Sequence, residues 1–441
     1  MLSAFANAFK TPDLRRKIMF TLMILAVFRL GSVIPTPNVN IVNVDQCRQL
    51  SLSGESSGLY SMINLFSGGA LLQLTIFALG IMPYITSSII LQLMAVVIPR
   101  LEALKKEGAA GTQKITQYTR YLTIVLAVLN STAFVTLAVN GQLFVGCSLD
   151  LVYDKSIFPI IVMILTMTAG TGVIMWLGEL ITDRGVGNGM SVMIFTQIAA
   201  AFPAQLWSIK ESRPGAAGWL AFAIVMVIGL AVMAGVIFME QGQRRIPVQY
   251  AKRMVGRKLL GGSTTYIPMK VNQAGVIPVI FASSLLYLPV LYAQFQPGTI
   301  DNPNPVASWI SANLVRGDHW IYNLTYALLI VGFAYFYVSI TFNPEEVADN
   351  MKKYGGFIPG IRAGESTANY LKHVLSRLTA PGSLYLAVIA LIPTLAFILL
   401  GTQGKFPFGG TSILIIVGVG LDTVKQIQSQ LQQRNYEGFL R

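Results

Sequence analysis

The chain has 441 residues, of which 54% are hydrophobic and only 12% charged, with a formal net charge of +13. Soluble domains average roughly 45–50% apolar and 25% charged residues. The balance excludes an ordinary soluble domain and indicates an integral membrane protein, so the positive charge is read first as a matter of topology, not of nucleic-acid binding.

A spanning helix needs ~20 mostly apolar residues, which leaves room for about ten spans and several loops. No transit signature opens the chain. Arg15, Arg16 and Lys17 precede an apolar run, but no A-x-A cleavage site follows and the run resumes after Arg29. It reads as a retained first helix. The expected spans are 18–35, 71–98, 118–139, 157–178, 190–207, 217–239, 273–295, 321–342, 383–401 and 411–429. Gly and Pro clusters separate them.

The first loop is long. Its second half, from Gly58 to Gly69, is moderately apolar yet too short to span. Such a segment is re-entrant, interfacial or tucked into a cavity. Cys47 lies in this loop and Cys147 in the second loop on the same side. A disulfide is open to them there, but two unpaired thiols are the expectation. No C-x-x-C spacing points to zinc or redox chemistry.

In the second span Ile81 and Ile85 are four apart and share a face, with Pro83 expected to kink the helix between them. Ser87 and Gln92 follow, polar residues that in lipid turn to a neighbouring helix or to water. The glycine run from Asp183 to Gly189 looks faintly like a dinucleotide loop, but no strand precedes it and a tight turn between two membrane helices explains it better. Met190 and Ile194 then repeat the four-residue spacing. On composition alone these apolar pairs are packing or lipid-facing residues. Asn272, at the start of the seventh span, resembles Ser87 and Gln92 in kind.

Lys and Arg set the orientation. Alternate segments hold Arg15, Arg16 and Lys17; Arg100, Lys105, Lys106 and Lys114; Arg244, Arg245, Lys252, Arg253, Arg257, Lys258 and Lys270; and Lys352, Lys353, Arg362, Lys372 and Arg377. The intervening loops hold only Arg48, Lys155, Lys210, Arg213, Arg316 and Lys405. This alternation puts both termini in the cytoplasm and requires an even number of helices. The chain then divides near Pro203 to Gly218 into residues 1–210 and 211–441, two halves of odd helix count that must lie inverted. Inverted halves often create a pathway between them.

Two cytoplasmic loops, 240–271 and 343–380, are longer than topology needs. The first interleaves its basic residues with Ile246, Val248 and Tyr250. In the second, Glu345 and Glu346 follow Pro344, which suits the first turn of a helix. Such order on one side suggests a docking surface for another macromolecule.

Enzyme signals are missing. There is no P-loop and no H-E-x-x-H motif, and the 2 histidines, His319 and His373, lie near helix ends with no second candidate ligand. Neither a catalytic residue, a cofactor nor a metal site is expected. Arg29 is the clear intramembrane ionisable residue, with Glu179 and Asp422 near helix ends. A proton- or sodium-coupled transporter would place carboxylates near the midplane, and an intramembrane hydrolase would need a Ser/His or Asp pair there.

FRLGSVIP (Phe28 to Pro35), FSGGALLQLTIFALGIMPYITSSIILQL (Phe66 to Leu93), ITDRGVGNGMS, GQRRIPVQYAKR, KVNQAGVIPVIFASS (Lys270 to Ser284), FNPEEVADNMKK, FIPGIRAGE and PFGGTSILI resemble the SecY family, over nearly the whole chain and in order. The loops near Cys47, Cys147 and Asp301 resemble it least. The resemblance implies an all-α membrane protein of ten helices, in two inverted five-helix halves enclosing an hourglass pore. It implies a protein-conducting channel that moves unfolded secretory polypeptides across the membrane and releases apolar segments sideways into it. A pore ring of Ile81, Ile85, Met190, Ile194, Ile280 and Ile415 is implied, with Met190 standing where a branched residue is usual. Tyr60, Met62, Ile63, Phe66, Ser67, Gly68 and Gly69 would belong to a plug over residues 58–69. Ser87, Gln92 and Asn272 would line a lateral gate and hydrogen-bond across its closed seam. Arg244, Arg245, Lys252, Arg253, Arg257, Lys258 and Arg362 would dock the ribosome or the SecA ATPase, although the basic residues could equally serve topology alone. Expected partners are the SecE and SecG subunits, SecA, the ribosome, YidC, SecDF, signal peptides, nascent chains and lipids, in a bacterial plasma membrane. Composition and topology by themselves leave a secondary transporter of a small solute as the alternative.

Overall fold

The computed structural model describes residues 11–53, 70–141, 143–144, 147, 149–211, 215–250, 253–255, 258–260, 264–295, 298–299, 302–303, 305–314, 319–400 and 410–437. The expected plug segment, with Tyr60, Met62, Ile63, Phe66, Ser67, Gly68 and Gly69, lies outside these residues, as do Lys252 and Arg257.

Among the described residues, ten helices of 16 to 36 residues carry the architecture. They are α1 (Pro12–Gly31), α3 (Met82–Val97), α5 (Ala109–Val139), α6 (Ile157–Arg184), α7 (Gly189–Glu211), α8 (Ala216–Gln241), α9 (Ile277–Phe295), α11 (Trp320–Thr341), α13 (Glu365–Leu400) and α14 (Gly410–Glu437). Four short helices join them: α2 (Ile41–Ser53), α4 (Pro99–Lys106), α10 (Pro305–Asn313) and α12 (Pro344–Lys353). By length and composition, α5, α6, α8, α11 and α13 contain segments able to cross a membrane, while α7 and α9 hold the shorter apolar segments Gly189–Ala204 and Ile277–Leu286.

Local chemistry sets the ends. α1 starts with Pro12 and Asp13 and ends near Arg29, each suited to the helix dipole. Ile98 is extended because Pro99 follows it, which separates α3 from α4. Asn343 Oδ1 accepts from the Glu345 and Glu346 amides at 3.2 and 3.4 Å, capping α12 as its sequence predicts.

Two spans differ most from expectation in where they begin. The second does not begin near residue 71. Residues 70–81 form successive turns, and α3 starts at Met82. The Thr36 amide bonds the Leu74 carbonyl and the Ile76 amide bonds the Ile34 carbonyl, so this backbone is committed elsewhere. Gly80 has φ +56°, and Pro83 occupies the first turn, where its missing N–H costs nothing. The expected kink is therefore a helix start. The ninth span is also longer than expected, because α13 continues through Pro381 and Gly382 from Glu365. A side chain at Gly382 would stand 2.5 Å from the Val271 carbonyl oxygen, so glycine permits this close crossing.

The loops around residues 240–271 and 343–380 contain strands, a departure from a purely helical chain. β1 (Gln243–Tyr250) is the centre of a three-stranded sheet, paired antiparallel with β4 (Thr264–Lys270) and with the two-residue β7 (Gly356–Phe357). Ile246 and Val248 point inward and are 2% exposed, while Arg245 and Gln249 alternate outward. Beyond it, β2 (Arg253–Val255) and β3 (Lys258–Leu260) make a separate hairpin, and the two-residue strands β5 (Gly298–Thr299) and β6 (Asn302–Pro303) pair with each other.

The thiol expectation is corrected: Cys47 and Cys147 form a disulfide, with Cα atoms 5.5 Å apart across 100 residues of sequence. The chain folds back so that α2 lies against the loop after α5. Val39 bridges Val152, and the Asn40 amide bonds the Leu151 carbonyl. Asn38 clasps Asp154 twice, donating to its carbonyl at 2.8 Å and accepting from its amide at 3.0 Å. The Asp154 carboxylate accepts from the Ser156 amide and hydroxyl at 2.9 and 2.8 Å, and these bonds hold its pKa below the ordinary value.

Buried side chains gather into separate cores. A large one runs from Val225 to Leu421 and includes the inward face of β1. A second spans Val39 to Met167 around the disulfide. A third centres on Phe28, Phe77, Ile81, Ile174, Ile181 and Met193. Between the first and third lies a small cluster of isoleucines.

Candidate functional site

That small cluster is the candidate site. Its buried members are Ile198 on α7, Ile280 on α9 and Ile415 on α14, which are 1%, 8% and 2% exposed. Ile85 from α3, Ile194 from α7, Val276, Ile416 and Val419 pack against them. Four helices far apart in sequence thus deliver branched aliphatic side chains to one point. None of these side chains offers a hydrogen bond.

Four of the six expected ring residues meet there: Ile85, Ile194, Ile280 and Ile415. The other two do not. Ile81, the residue before α3, is 1% exposed and belongs with Met190 to the cluster around Phe28 and Ile174. Met190 lies over Gly178 of α6, where an added side-chain carbon would stand 2.5 Å from its sulfur. Ile85 and Ile194 belong to both clusters and join them. Ile198 escaped the sequence reading, although it continues the spacing of Met190 and Ile194 by four more residues.

α7 is aimed by the glycine-rich turn before it. The Val186 amide donates to Thr21 Oγ1 at 3.1 Å, and the Gly189 amide to Thr182 Oγ1 at 2.9 Å. Gly187 has φ +90°, in the region that favours glycine. A side-chain carbon at Gly189 would meet the Gly178 carbonyl oxygen. The stretch is a turn between two packed helices, as its setting predicts.

Ser87 is fully buried and donates to the Pro83 carbonyl of its own helix at 2.7 Å. Gln92 is exposed. Asn272 is 4% exposed and donates to Glu240 Oε1 at 2.6 Å and to the Gly275 carbonyl at 3.2 Å. Each of these bonds stays on one side of the expected seam, and among the described residues the three make no hydrogen bond to one another. Glu240, at the end of α8, was not singled out in the sequence; a carboxylate beside a span end was its available signal.

Charged side chains pair between neighbouring elements. Lys270 Nζ lies 3.8 Å from Asp422 on α14. Arg120 on α5 forms a two-point pair with Glu179 on α6 at 2.8 and 2.9 Å. Arg244 and Arg245 are exposed on β1, and Arg362 is exposed in the turn before α13, its carbonyl accepting from Thr367 Oγ1 at 2.9 Å. Arg253 and Lys258 stand in β2 and β3. His319 caps α11, its Nδ1 accepting from the Ile321 amide. No group of three or more His, Cys, Asp or Glu side chains able to hold a metal occurs among the described residues.

A family model described as SecY matches residues 75–424. Protein translocase subunit SecY of Streptomyces galbus is 65% identical, and that of Mycobacterium bovis 58%, each over 100% of both chains. Two solved structures share the fold at low identity. One, described as the structure of a protein conducting channel, aligns with TM-score 0.59 and 18% identity over 94% of this chain and 91% of that one. The other, Sec61 in the canine ribosome-channel complex from the endoplasmic reticulum, aligns with TM-score 0.60 and 17% identity over the same shares.

Proposed function

Since the chain belongs to the SecY family, we propose that the isoleucine cluster of Ile85, Ile194, Ile280 and Ile415 is the waist through which it conducts polypeptide. The chain is a multi-pass membrane protein and a subunit of a protein-conducting channel, not an enzyme. The observation that carries the waist is the convergence of α3, α7, α9 and α14 on one apolar cluster between two larger cores.

The physics favours this use. An extended polypeptide carries unpaired backbone amides that cannot enter hydrocarbon. A constriction of isoleucines offers a varied sequence nothing to bind, and when empty it sheds water and blocks ions. Ile81 and Met190, one step back from the waist, serve as packing that gives when the cluster widens; methionine adapts easily to changing shape. The plug role of residues 58–69 is retained as part of the same reading.

The cores support a division into residues 1–210 and 211–441, with the waist between the halves. An apolar segment of ~20 residues prefers lipid, so the path must also open sideways, between α3 and α9. Ser87 and Gln92 on one side and Asn272 on the other would border that opening, each held by its own half. The sheet of β1, β4 and β7 and the turn at Arg362 would form the docking face for the ribosome or SecA. Arg244, Arg245, Arg253 and Lys258, with Lys252 and Arg257, suit phosphate contacts, which weaken with salt. SecE, SecG, YidC and SecDF complete the proposed partners, in a bacterial plasma membrane with both chain termini in the cytoplasm. The charge alternation supports that orientation.

The test is crosslinking. The native cysteines are bonded to each other, so an added one is the reactive thiol. With cysteine at Ile280, a stalled secretory chain carrying one cysteine should crosslink. With cysteine at Leu328, which is 65% exposed on α11, it should not. Equal yields at the two positions would refute the waist.

A further inference from the structure

Gln197 stands where a side chain of its kind is least expected. It lies on α7 between Ile194 and Ile198, both members of the isoleucine cluster, and one turn beyond Met193. It is 2% exposed. Neither its Nε2 nor its Oε1 has a hydrogen-bond partner among the described residues. Buried hydroxyls such as those of Ser87, Thr123 and Thr171 bond to a carbonyl of their own helix. Gln197 instead reaches over Gly80, directly before Ile81. An added side-chain carbon at Gly80 would stand 2.6 Å from Nε2, so glycine keeps the space that the carboxamide fills. The Gly80 amide is already bonded to the Phe77 carbonyl.

A carboxamide left unpaired in an apolar setting is costly, because both its donors and its acceptor have lost water. It carries the same donor and acceptor as a peptide group. The one molecule that brings unpaired peptide groups to this place is an extended polypeptide crossing the waist, whose backbone the surrounding isoleucines cannot satisfy.

We infer that Gln197 is a binding station for the backbone of the crossing chain, set beside the apolar waist and engaged when the waist is open. This rests on the waist reading. Its ligand is a peptide group of any sequence, with Nε2 donating to a carbonyl and Oε1 accepting from an amide. The unpaired group raises the energy of the closed form and is relieved on engagement, so it favours opening by a polypeptide.

The experiment uses the assembled translocase in membrane vesicles with a model secretory chain. Gln197→Met keeps the length and removes the hydrogen bonds. It should be at least as thermally stable as the parent, yet transport more slowly, by about fivefold or more. Gln197→Asn should recover part of the rate. A run of prolines in the client, which has no N–H to donate, should shrink the difference between parent and Gln197→Met. Transport by Gln197→Met at the parental rate would overturn the inference. So would a parallel fall in stability and transport, the mark of a packing role. If the Ile280 crosslink succeeds while Gln197→Met is unaffected, only this inference fails; if the Ile280 crosslink also fails, the waist falls with it.

Discussion

Asn272 donates to the Glu240 carboxyl oxygen at 2.6 Å, so the start of the seventh span is tied to the end of the sixth and not to the second. Removing the donor strands a half-buried carboxyl group. Asn272→Leu should destabilise the assembled protein by about 1.5–3 kcal/mol, the range for a hydrogen bond to a charged group. It should also change which defective signal sequences are accepted, because the edge of the proposed lateral opening is freed. Glu240→Gln keeps an acceptor oxygen and should be nearly silent. Thermal unfolding in detergent and export of signal-defective reporters are the measurements; unchanged values for Asn272→Leu in both would remove the tie from the gate.

The disulfide closes a loop of 100 residues. In the chain-entropy description such a crosslink stabilises by about 4–5 kcal/mol, and measured values are commonly lower. Cys47→Ser with Cys147→Ser should therefore lower the unfolding temperature and expose the segments 35–53 and 140–156 to added protease. The intact protein should take up a thiol reagent only after reduction and unfolding. Labelling of the untreated, denatured protein would contradict the pairing.

Acid should loosen the same region. The Asp154 carboxylate is hydrogen-bonded in the fold, so its folded pKa lies below the ordinary 3.8. Its contribution is present above the unfolded pKa and is lost as pH falls through the folded value, in a window below about pH 4. Proteolysis of the loop from Asp150 to Ser156 should rise there, and Asp154→Asn should flatten the dependence. The carboxylate is fully exposed, so the effect is small and local.

Arg362 is exposed and takes no part in the core, while its neighbour Ile361 packs against it. Arg362→Glu should leave the unfolding free energy within about 0.5 kcal/mol of the parent, as surface changes do, and strongly impair export in a partner-driven assay. A Tm loss as large as the export loss would make the residue structural.

The sequence made the long helices and the alternation of positive loops readable, because both follow from one solvent constraint. The four-residue spacing at Ile81, Ile85, Met190 and Ile194 also showed which residues share a face. It did not show which turn of each helix reaches the centre. Ile81 and Met190 pack in the cluster that includes Ile174 and Ile181 of α6, while Ile198 joins Ile280 and Ile415 in the isoleucine cluster, each helix following a turn with a positive-φ glycine, Gly80 or Gly187. The helix start at Met82 was hidden for a related reason: the hydropathy of residues 70–81 carries no trace of their bonding to residues 34–36. The period-two pattern of Ile246, Val248 and Tyr250 was a legible strand signal, overlooked beside the basic residues. Cys47 and Cys147 pair through the fold-back of distant segments, which spacing alone does not encode.

Ile85 and Ile194 belong to the core around Phe28 as well as to the isoleucine cluster, and Val276 belongs to the large core as well as to the same cluster. The proposed throat is thus slung between two cores by three shared side chains, like a membrane stretched across a hinged frame. On that proposal its aperture would answer to the separation of the frame members more than to any rearrangement within them. A bulky passenger would then pass by swinging the frame, with both cores keeping their internal order.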